Sequence, residues 1–295
     1  MSITEQTKPN RNYKSRLFEL VFSDRNELLK LYNAMNTTDY EDPELLEINT
    51  LENAIYLSMH NDVSFIIDSR LALYEHQSTY SPNLPLRYLF YVSDLYSAET
   101  REANLYGTRV IRIPAPRFVI FYNGEAEQPG SQTLKLSNMY TVPEEAPSLE
   151  LEALMLNINP GYNQELLESC RTLHDYSVYT SMVRTYARTM NLEEAVEKAI
   201  TECISKGILK EFLSKNRAEA KSVSIYEYDE EKHMRQEREA SREEGRIEGK
   251  IEGAESVLEL TRLLIEAGRF EDLKRATADK EFCESLFKEF QIFGV

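Results

Sequence analysis

Two carboxylates and one amide are spaced along a predicted β-hairpin as a divalent-metal site requires. Residues 62–67 (DVSFII) and 71–77 (LALYEHQ) are predicted as strands, since both are short, mostly apolar runs and the first is rich in β-branched residues. If a two-residue turn directly follows the first strand, paired residue numbers sum to 137 and Asp62 lies opposite Glu75. Gln77 lies two residues beyond Glu75 and therefore on the same face of its strand. The three side chains are expected to converge at one end of the hairpin.

Two facing carboxylates need a nearby positive charge to offset their mutual repulsion and the cost of burying them. Like charges directly opposite one another destabilise a sheet, and the neighbouring residues of both strands are apolar. Mg²⁺ or Mn²⁺ is the natural compensation, because such ions take carboxylate oxygens and keep waters for chemistry on phosphates. Gln77 would then orient the attacking water. On spacing alone, the alternative is that Asp62 and Glu75 end their strands facing solvent, and a one-residue slip of the register would separate them.

The elements around the hairpin follow a definite order up to residue 123. Hydrophobic periodicity predicts a helix, three strands, a second helix and a further strand. They cover residues 18–36, where Asp24 could restart or cap the helix, then 50–57, 62–67 and 71–77, then Pro85 to about Asn104, then 117–122 with the turn signal Asn123-Gly124. From residue 163 onward the pattern is helical, with helices over 192–206, where Gly207 can end the helix, over 208–220 and over 257–267. The predicted fold class is therefore α/β with a mostly helical C-terminal region.

The motif residues resemble the PD-(D/E)xK nuclease superfamily, and more narrowly its bacterial recombination-promoting, transposase-like nucleases. The matching segments are Asn61-Asp62-Val63-Ser64-Phe65, Tyr74-Glu75-His76-Gln77-Ser78, and Pro85-Leu86-Arg87-Tyr88 with Tyr91. The resemblance implies a restriction-endonuclease-like αβββαβ core and a metal-dependent DNA endonuclease. It assigns the motif aspartate to Asp62 and the motif acid to Glu75. Gln77 then occupies the position of the motif lysine.

That glutamine leaves an alternative function open. It carries no charge, so the cation that usually accompanies the acids of this superfamily is missing at position 77. The chain has 34 Lys and Arg against 50 Asp and Glu, a net charge of −16, which does not attract DNA by its overall field. The alternative is a catalytically degenerate nuclease fold that serves as a protein-interaction module. Residues 61–123, which hold the motif, are the one neutral stretch.

Three more side chains near the motif are candidates for a role in the site or in packing. Glu52, on the first predicted strand, is either a further metal ligand or an exposed strand acid. Arg87, near the start of the second helix, either faces the site to contact substrate phosphate or is a solvated helix residue. His76 lies between Glu75 and Gln77 and points to the opposite face, where packing is expected.

The predicted domains are a nuclease-like core over 1–160, a helical region over 161–228 and a charged region over 229–295. The last contains a period-four repeat, EEGR-IEGK-IEGA. One interpretation is that its charges form salt bridges along a single helix. The alternatives are that the segment associates with other helices, including those of a second copy in a homo-oligomer, or that it is a flexible arm. Three scattered cysteines and the lack of a long apolar run predict a cytoplasmic protein with no membrane partner.

Overall fold

The computed structural model describes residues 17–48 and 62–292. The chain divides into two compact units, Met1–Asp229 and Glu230–Val295. The first predicted strand, 50–57, and Glu52 on it lie outside the described residues. None of the helices in the described ranges is long and apolar enough to cross a membrane.

The first unit is a mixed sheet with helices on both faces, which confirms the predicted α/β class. Its helices are α1 (Leu17–Phe22), α2 (Arg25–Asn36), α3 (Leu84–Glu99), α4 (Gln164–Ser169), α5 (Arg171–Ala187), α6 (Leu192–Lys206) and α7 (Lys210–Lys215). Its strands are β1 (Glu47–Ile48), β2 (Val63–Ile67), β3 (Arg70–Gln77), β4 (Ala115–Tyr122), β5 (Ser131–Lys135) and β6 (Glu152–Asn157). The sheet order is β1-β2-β3-β4-β6-β5. Strands β3, β4 and β6 are parallel, and the other neighbouring pairs are antiparallel.

The predicted hairpin register is confirmed. Strands β2 and β3 pair antiparallel, with Ile67 opposite Arg70, so paired numbers sum to 137. Asp68 and Ser69 form the turn and both have positive φ, 48° and 58°. Two left-handed residues give the backbone twist that matches a right-handed hairpin, and aspartate tolerates that conformation well.

Two helices begin or end at different residues from those predicted. The helix predicted over 18–36 is interrupted before Arg25, because the carboxylate of Asp24 accepts hydrogen bonds from the backbone N–H groups of Asn26 (2.8 Å) and Glu27 (3.3 Å) and starts α2. Helix α3 ends at Glu99 rather than near Asn104. There the hydroxyl of Thr100 donates to the carbonyl of Tyr96 (2.7 Å).

The sheet is buried on both faces, so β3 alternates between two hydrophobic cores. Ala72 and Tyr74 pack into the larger core, which α1, α2, α5 and α6 cover. Leu71 and Leu73 pack into a smaller core beneath α3. A strand buried on both sides carries apolar residues at consecutive positions, which explains the continuous run LALY over residues 71–74.

Helices α4–α7 complete the larger core. Gly207 ends α6 in a left-handed conformation, φ 77°, as the sequence predicts. The helix predicted over 208–220 is divided at Asn216 into α7 and the start of α8 (Arg217–Glu266). Cys170 and Cys203 are buried, and burial raises the pKa of each thiol to about 11.

The second unit contains most of α8, with α9 (Phe270–Ala276) and α10 (Lys280–Glu289). The EG repeat is helical throughout, and the separate last helix predicted over 257–267 is instead the end of α8, which stops at Glu266. Gly268, φ 69°, follows that end. Leu260 and Leu264 of α8 pack against α10 in a small core.

Candidate active site

Glu75 and Gln77 lie near the carboxyl end of β3, on the face that α3 covers. This is the face of Leu71 and Leu73, because side chains two residues apart share one face. Glu75 is only 1% exposed. The amide Nε2 of Gln77 donates a hydrogen bond to Glu75 Oε1 (2.8 Å). The predicted convergence of these two side chains is therefore present.

Arg87 brings a cation to the same carboxylate. Helix α3 begins at Leu84 with Pro85 in its first turn, so Arg87 is held one turn inside the helix above β3. Its guanidinium donates to Glu75 Oε1 (2.7 Å) and to the hydroxyl of Tyr91 (2.9 Å) one turn further along. The interpretation of Arg87 as a solvated helix residue is wrong.

Asp62 meets β3 beside Glu75. It directly precedes β2, is 7% exposed, and its Oδ2 accepts a hydrogen bond from the backbone N–H of His76 (2.6 Å). Both acids also affect Tyr91, whose pKa is raised to about 12. Burial of the phenol is the largest cause, followed by the negative charge of Glu75 and, more weakly, that of Asp62. Neither acid is the solvent-facing strand end considered as an alternative.

The two acids have more than a metal ion to offset their charge, which corrects the expectation from the sequence. In the structure Glu75 accepts hydrogen bonds from Arg87 and Gln77, and Asp62 accepts one from the backbone of β3. Part of the cost of burial is thus met by groups of the chain itself. The buried acids by themselves do not require a metal ion.

His76 points to the opposite face, and its expected packing role is confirmed. Its ring stacks on Phe18 at 5.7 Å between centroids and meets Tyr176 edge-on. Its Nε2 hydrogen-bonds with Asn123 Oδ1 (2.7 Å). Asn123 also accepts hydrogen bonds from Arg184 through its carbonyl and its side-chain oxygen.

Sequence reasoning missed this polar network at the carboxyl edge of the sheet. It interpreted Asn123-Gly124 only as a turn signal. Gly124 approaches β3 so closely that a Cβ there would lie 2.1 Å from the carbonyl oxygen of Ser78. Only glycine fits such a contact, so the dipeptide holds the ends of β3 and β4 together.

The donors of the site fit a hard divalent cation. Asp62 and Glu75 supply carboxylate oxygens, and Mg²⁺ is commonly held by one or two carboxylates while it keeps several waters. Within residues 17–48 and 62–292, no group of three or more Asp, Glu, His or Cys side chains is arranged to hold a metal. Glu52, the third carboxylate predicted from the sequence, lies outside those ranges.

No protein-family model, curated protein or solved structure matches this chain, so the case for a function depends on the geometry of this site.

Proposed function

We propose that the chain is a metal-dependent DNA endonuclease of the restriction-endonuclease-like type, with Asp62, Glu75 and Gln77 at its centre. The observation that carries the proposal is the buried Glu75 carboxylate at the hairpin end, with an amide and a guanidinium directed at it. The element order α2, β1, β2, β3, α3, β4 supports it, because the PD-(D/E)xK resemblance implies that order.

Asp62 and Glu75 are the residues that would hold Mg²⁺ or Mn²⁺. When bound, such an ion supplies an acidified water and positive charge that offsets the charge developing on a phosphodiester. The Nε2 of Gln77 is directed at Glu75, so its Oε1 is left to accept a hydrogen bond from a water. An amide oxygen is too weak a base to take the proton, so Gln77 is expected to orient the water only.

Arg87 supplies the positive charge that Gln77 lacks. Its guanidinium is permanently charged and can contact two oxygens of a phosphate side by side. The contact with Glu75 fixes one nitrogen within the site, and 28% of the side chain is exposed. Arg87 is therefore able to contact a substrate phosphate without losing its place in α3.

The α3–β4 loop, residues 100–114, offers a basic surface that would contact DNA. Arg101, Arg109 and Arg112 are exposed, and none of their side chains makes an ion pair or hydrogen bond with any residue in the described ranges. Tyr106 on the same loop is fully exposed. Unpaired arginines suit phosphate contacts, and an exposed ring suits stacking on a base.

The loop and the acids are close enough to engage one DNA molecule. The loop ends where Ala115 pairs with Arg70. Arg70 lies five residues before Glu75, which corresponds to about 16 Å along the strand. One turn of B-DNA spans about 34 Å, so a duplex in contact with the loop can also reach the acids.

A second candidate is the catalytically degenerate interaction module. The observation in its favour is the same Arg87–Glu75 contact, because a carboxylate neutralised by an arginine lets the fold persist without a metal ion. Metal dependence of cleavage therefore separates the two functions better than stability does.

The test is nicking of supercoiled plasmid by the full chain with Mg²⁺ or Mn²⁺ and with EDTA. We expect metal-dependent nicking by the wild type, its loss in Glu75→Gln and Asp62→Asn, and its persistence in Glu145→Gln, an exposed acid that serves as control. Gln77→Lys should cut at least as well as wild type. If neither wild type nor Gln77→Lys nicks with either metal, the enzyme proposal fails and the interaction module takes its place.

DNA binding is measured separately in EDTA. Arg109→Ala/Arg112→Ala should lower affinity and reduce the slope of log affinity against log salt by about 2. The matched control Arg242→Ala/Lys250→Ala changes net charge equally on exposed positions of α8 and should leave the slope unchanged. Equal effects of both double variants would show that the loop has no special role in binding.

A further inference from the structure

A cavity of about 340 Å³ lies on the face of the sheet opposite Glu75. It occupies the amino ends of β3 and β4, where the larger core stops. Its floor is apolar and includes Ala72, Val119 and Leu154 on three adjacent strands, with Val119 directly paired to Leu154. Pockets of about 300–1,000 Å³ with an apolar floor and a few polar groups are typical small-molecule sites.

The cavity exists because a helix ends above a sheet that continues. Helix α2 covers this face only as far as Asn36, and Thr37, with φ 53°, turns the chain away in a left-handed conformation. Tyr32 and Asn36 from the last turns of α2 form one wall.

Two arginines line the cavity from the sheet. Arg70 is the first residue of β3, and Arg117 pairs with Ala72 on the neighbouring strand. Both are exposed, and neither side chain makes an ion pair or hydrogen bond with any residue of the described ranges. The one lining acid, Glu152, is paired with Lys135 at 2.6 Å. The cavity is therefore left with two uncommitted guanidinium groups, which suit a single phosphate.

The wall residue Tyr32 has a buried polar group without a described partner. It is 2% exposed, and its hydroxyl has no hydrogen-bond partner in the part of the chain that the structure describes. Buried polar atoms nearly always have a partner, and those that do not call for a specific explanation. A ligand in the cavity that reaches this hydroxyl with a hydrogen-bonding group would satisfy it.

We propose that the cavity binds a nucleoside 5′-monophosphate group. The phosphate would lie on Arg70 and Arg117, and the flat base would cover the floor with a polar ring atom at the Tyr32 hydroxyl. The group belongs either to a free nucleotide or to the phosphorylated 5′ end of a strand, since both present the same chemistry. This inference does not depend on the nuclease proposal, because the cavity and the acids lie on opposite faces of the sheet.

Titration calorimetry of the full chain in EDTA tests the proposal with AMP, GMP, CMP and UMP, and with adenosine and inorganic phosphate. AMP should bind at least about tenfold more tightly than adenosine, because the charged contacts depend on its phosphate. Arg117→Ala should weaken AMP binding about tenfold or more, whereas the exposed control Arg242→Ala should not.

Tyr32→Phe separates binding from folding. The wild-type hydroxyl has no partner in the described protein, so this variant should melt at or slightly above the wild-type temperature while AMP binding weakens about threefold to tenfold. Equal binding of AMP and adenosine, or no binding of any of the four nucleotides at about 1 mM, overturns the proposal. Binding of inorganic phosphate as tight as that of AMP also overturns it, because the base would then contribute nothing.

Short oligonucleotides with and without a 5′ phosphate identify the source of the group. Tighter binding of the phosphorylated strand than of AMP assigns the cavity to strand ends. Tighter binding of AMP assigns it to free nucleotides.

Discussion

Replacing Arg87 with alanine removes the guanidinium that contacts the buried Glu75. Taking one member from a buried ion pair typically costs about 3–5 kcal/mol, because the remaining charge loses compensation while it stays out of water. Arg87 is 28% exposed and Glu75 keeps its hydrogen bond from Gln77. Water and the amide therefore offset part of the loss, and we expect a decrease in the free energy of unfolding of about 2–3 kcal/mol.

Urea denaturation and thermal melting measure this effect. For domains of about 150–250 residues, 1 kcal/mol corresponds to about 2–4 °C, so Arg87→Ala should lower Tm by about 4–12 °C. The m-value in urea should stay constant, because the surface exposed on unfolding is unchanged. Arg101→Ala, which removes an exposed arginine without a described partner, is the matched control and should change stability by less than about 0.5 kcal/mol.

A double-mutant cycle with Glu75→Gln isolates the charge contribution. Arg87→Ala should cost about 1–2 kcal/mol less when position 75 is an uncharged glutamine. The same loss in both backgrounds would contradict the reasoning, since it would mean that Arg87 acts through its packing and its hydrogen bond to Tyr91. Added Mg²⁺ should stabilise Arg87→Ala more than wild type, because an ion bound by a protein's folded form raises its stability and Glu75 no longer has the competing cation.

Three further outcomes are expected. Gly124→Ala should destabilise the first unit by about 2 kcal/mol or more through its clash with the Ser78 carbonyl. Gly249→Ala, whose new Cβ would meet no described atom within 4 Å beyond its own stretch of helix, should stabilise α8 by up to about 1 kcal/mol in chemical denaturation. Iodoacetamide at pH 8 should modify only the partly exposed Cys283, as mass spectrometry would show, because the two buried thiols stay protonated until the pH approaches 11. A chain truncated to residues 1–229 should keep one cooperative melt; loss of that melt would mean that the second unit is needed for folding.

The sequence predicts the hairpin of the candidate site because its information is local. Asp68 and Ser69 tolerate left-handed backbone conformations, and a two-residue turn determines which residues of the two strands pair. The period-two alternation of β3 then assigns Glu75 and Gln77 to one face and His76 to the other. Helix caps also depend only on neighbouring residues. Asp24 caps the start of α2 and Gly207 ends α6, each where the sequence indicates.

Only the tertiary structure decides which groups meet the buried carboxylate. Arg87 is twelve residues from Glu75 along the chain. Whether it faces solvent or the sheet depends on how α3 is rotated against β3, and that rotation follows from packing of the whole apolar face of the helix. The two arginines of the cavity likewise come together only because the parallel pairing of β3 with β4 places Arg117 beside Ala72. Contacts of this kind depend on packing between elements that are distant in sequence, so local propensity and periodicity do not contain them.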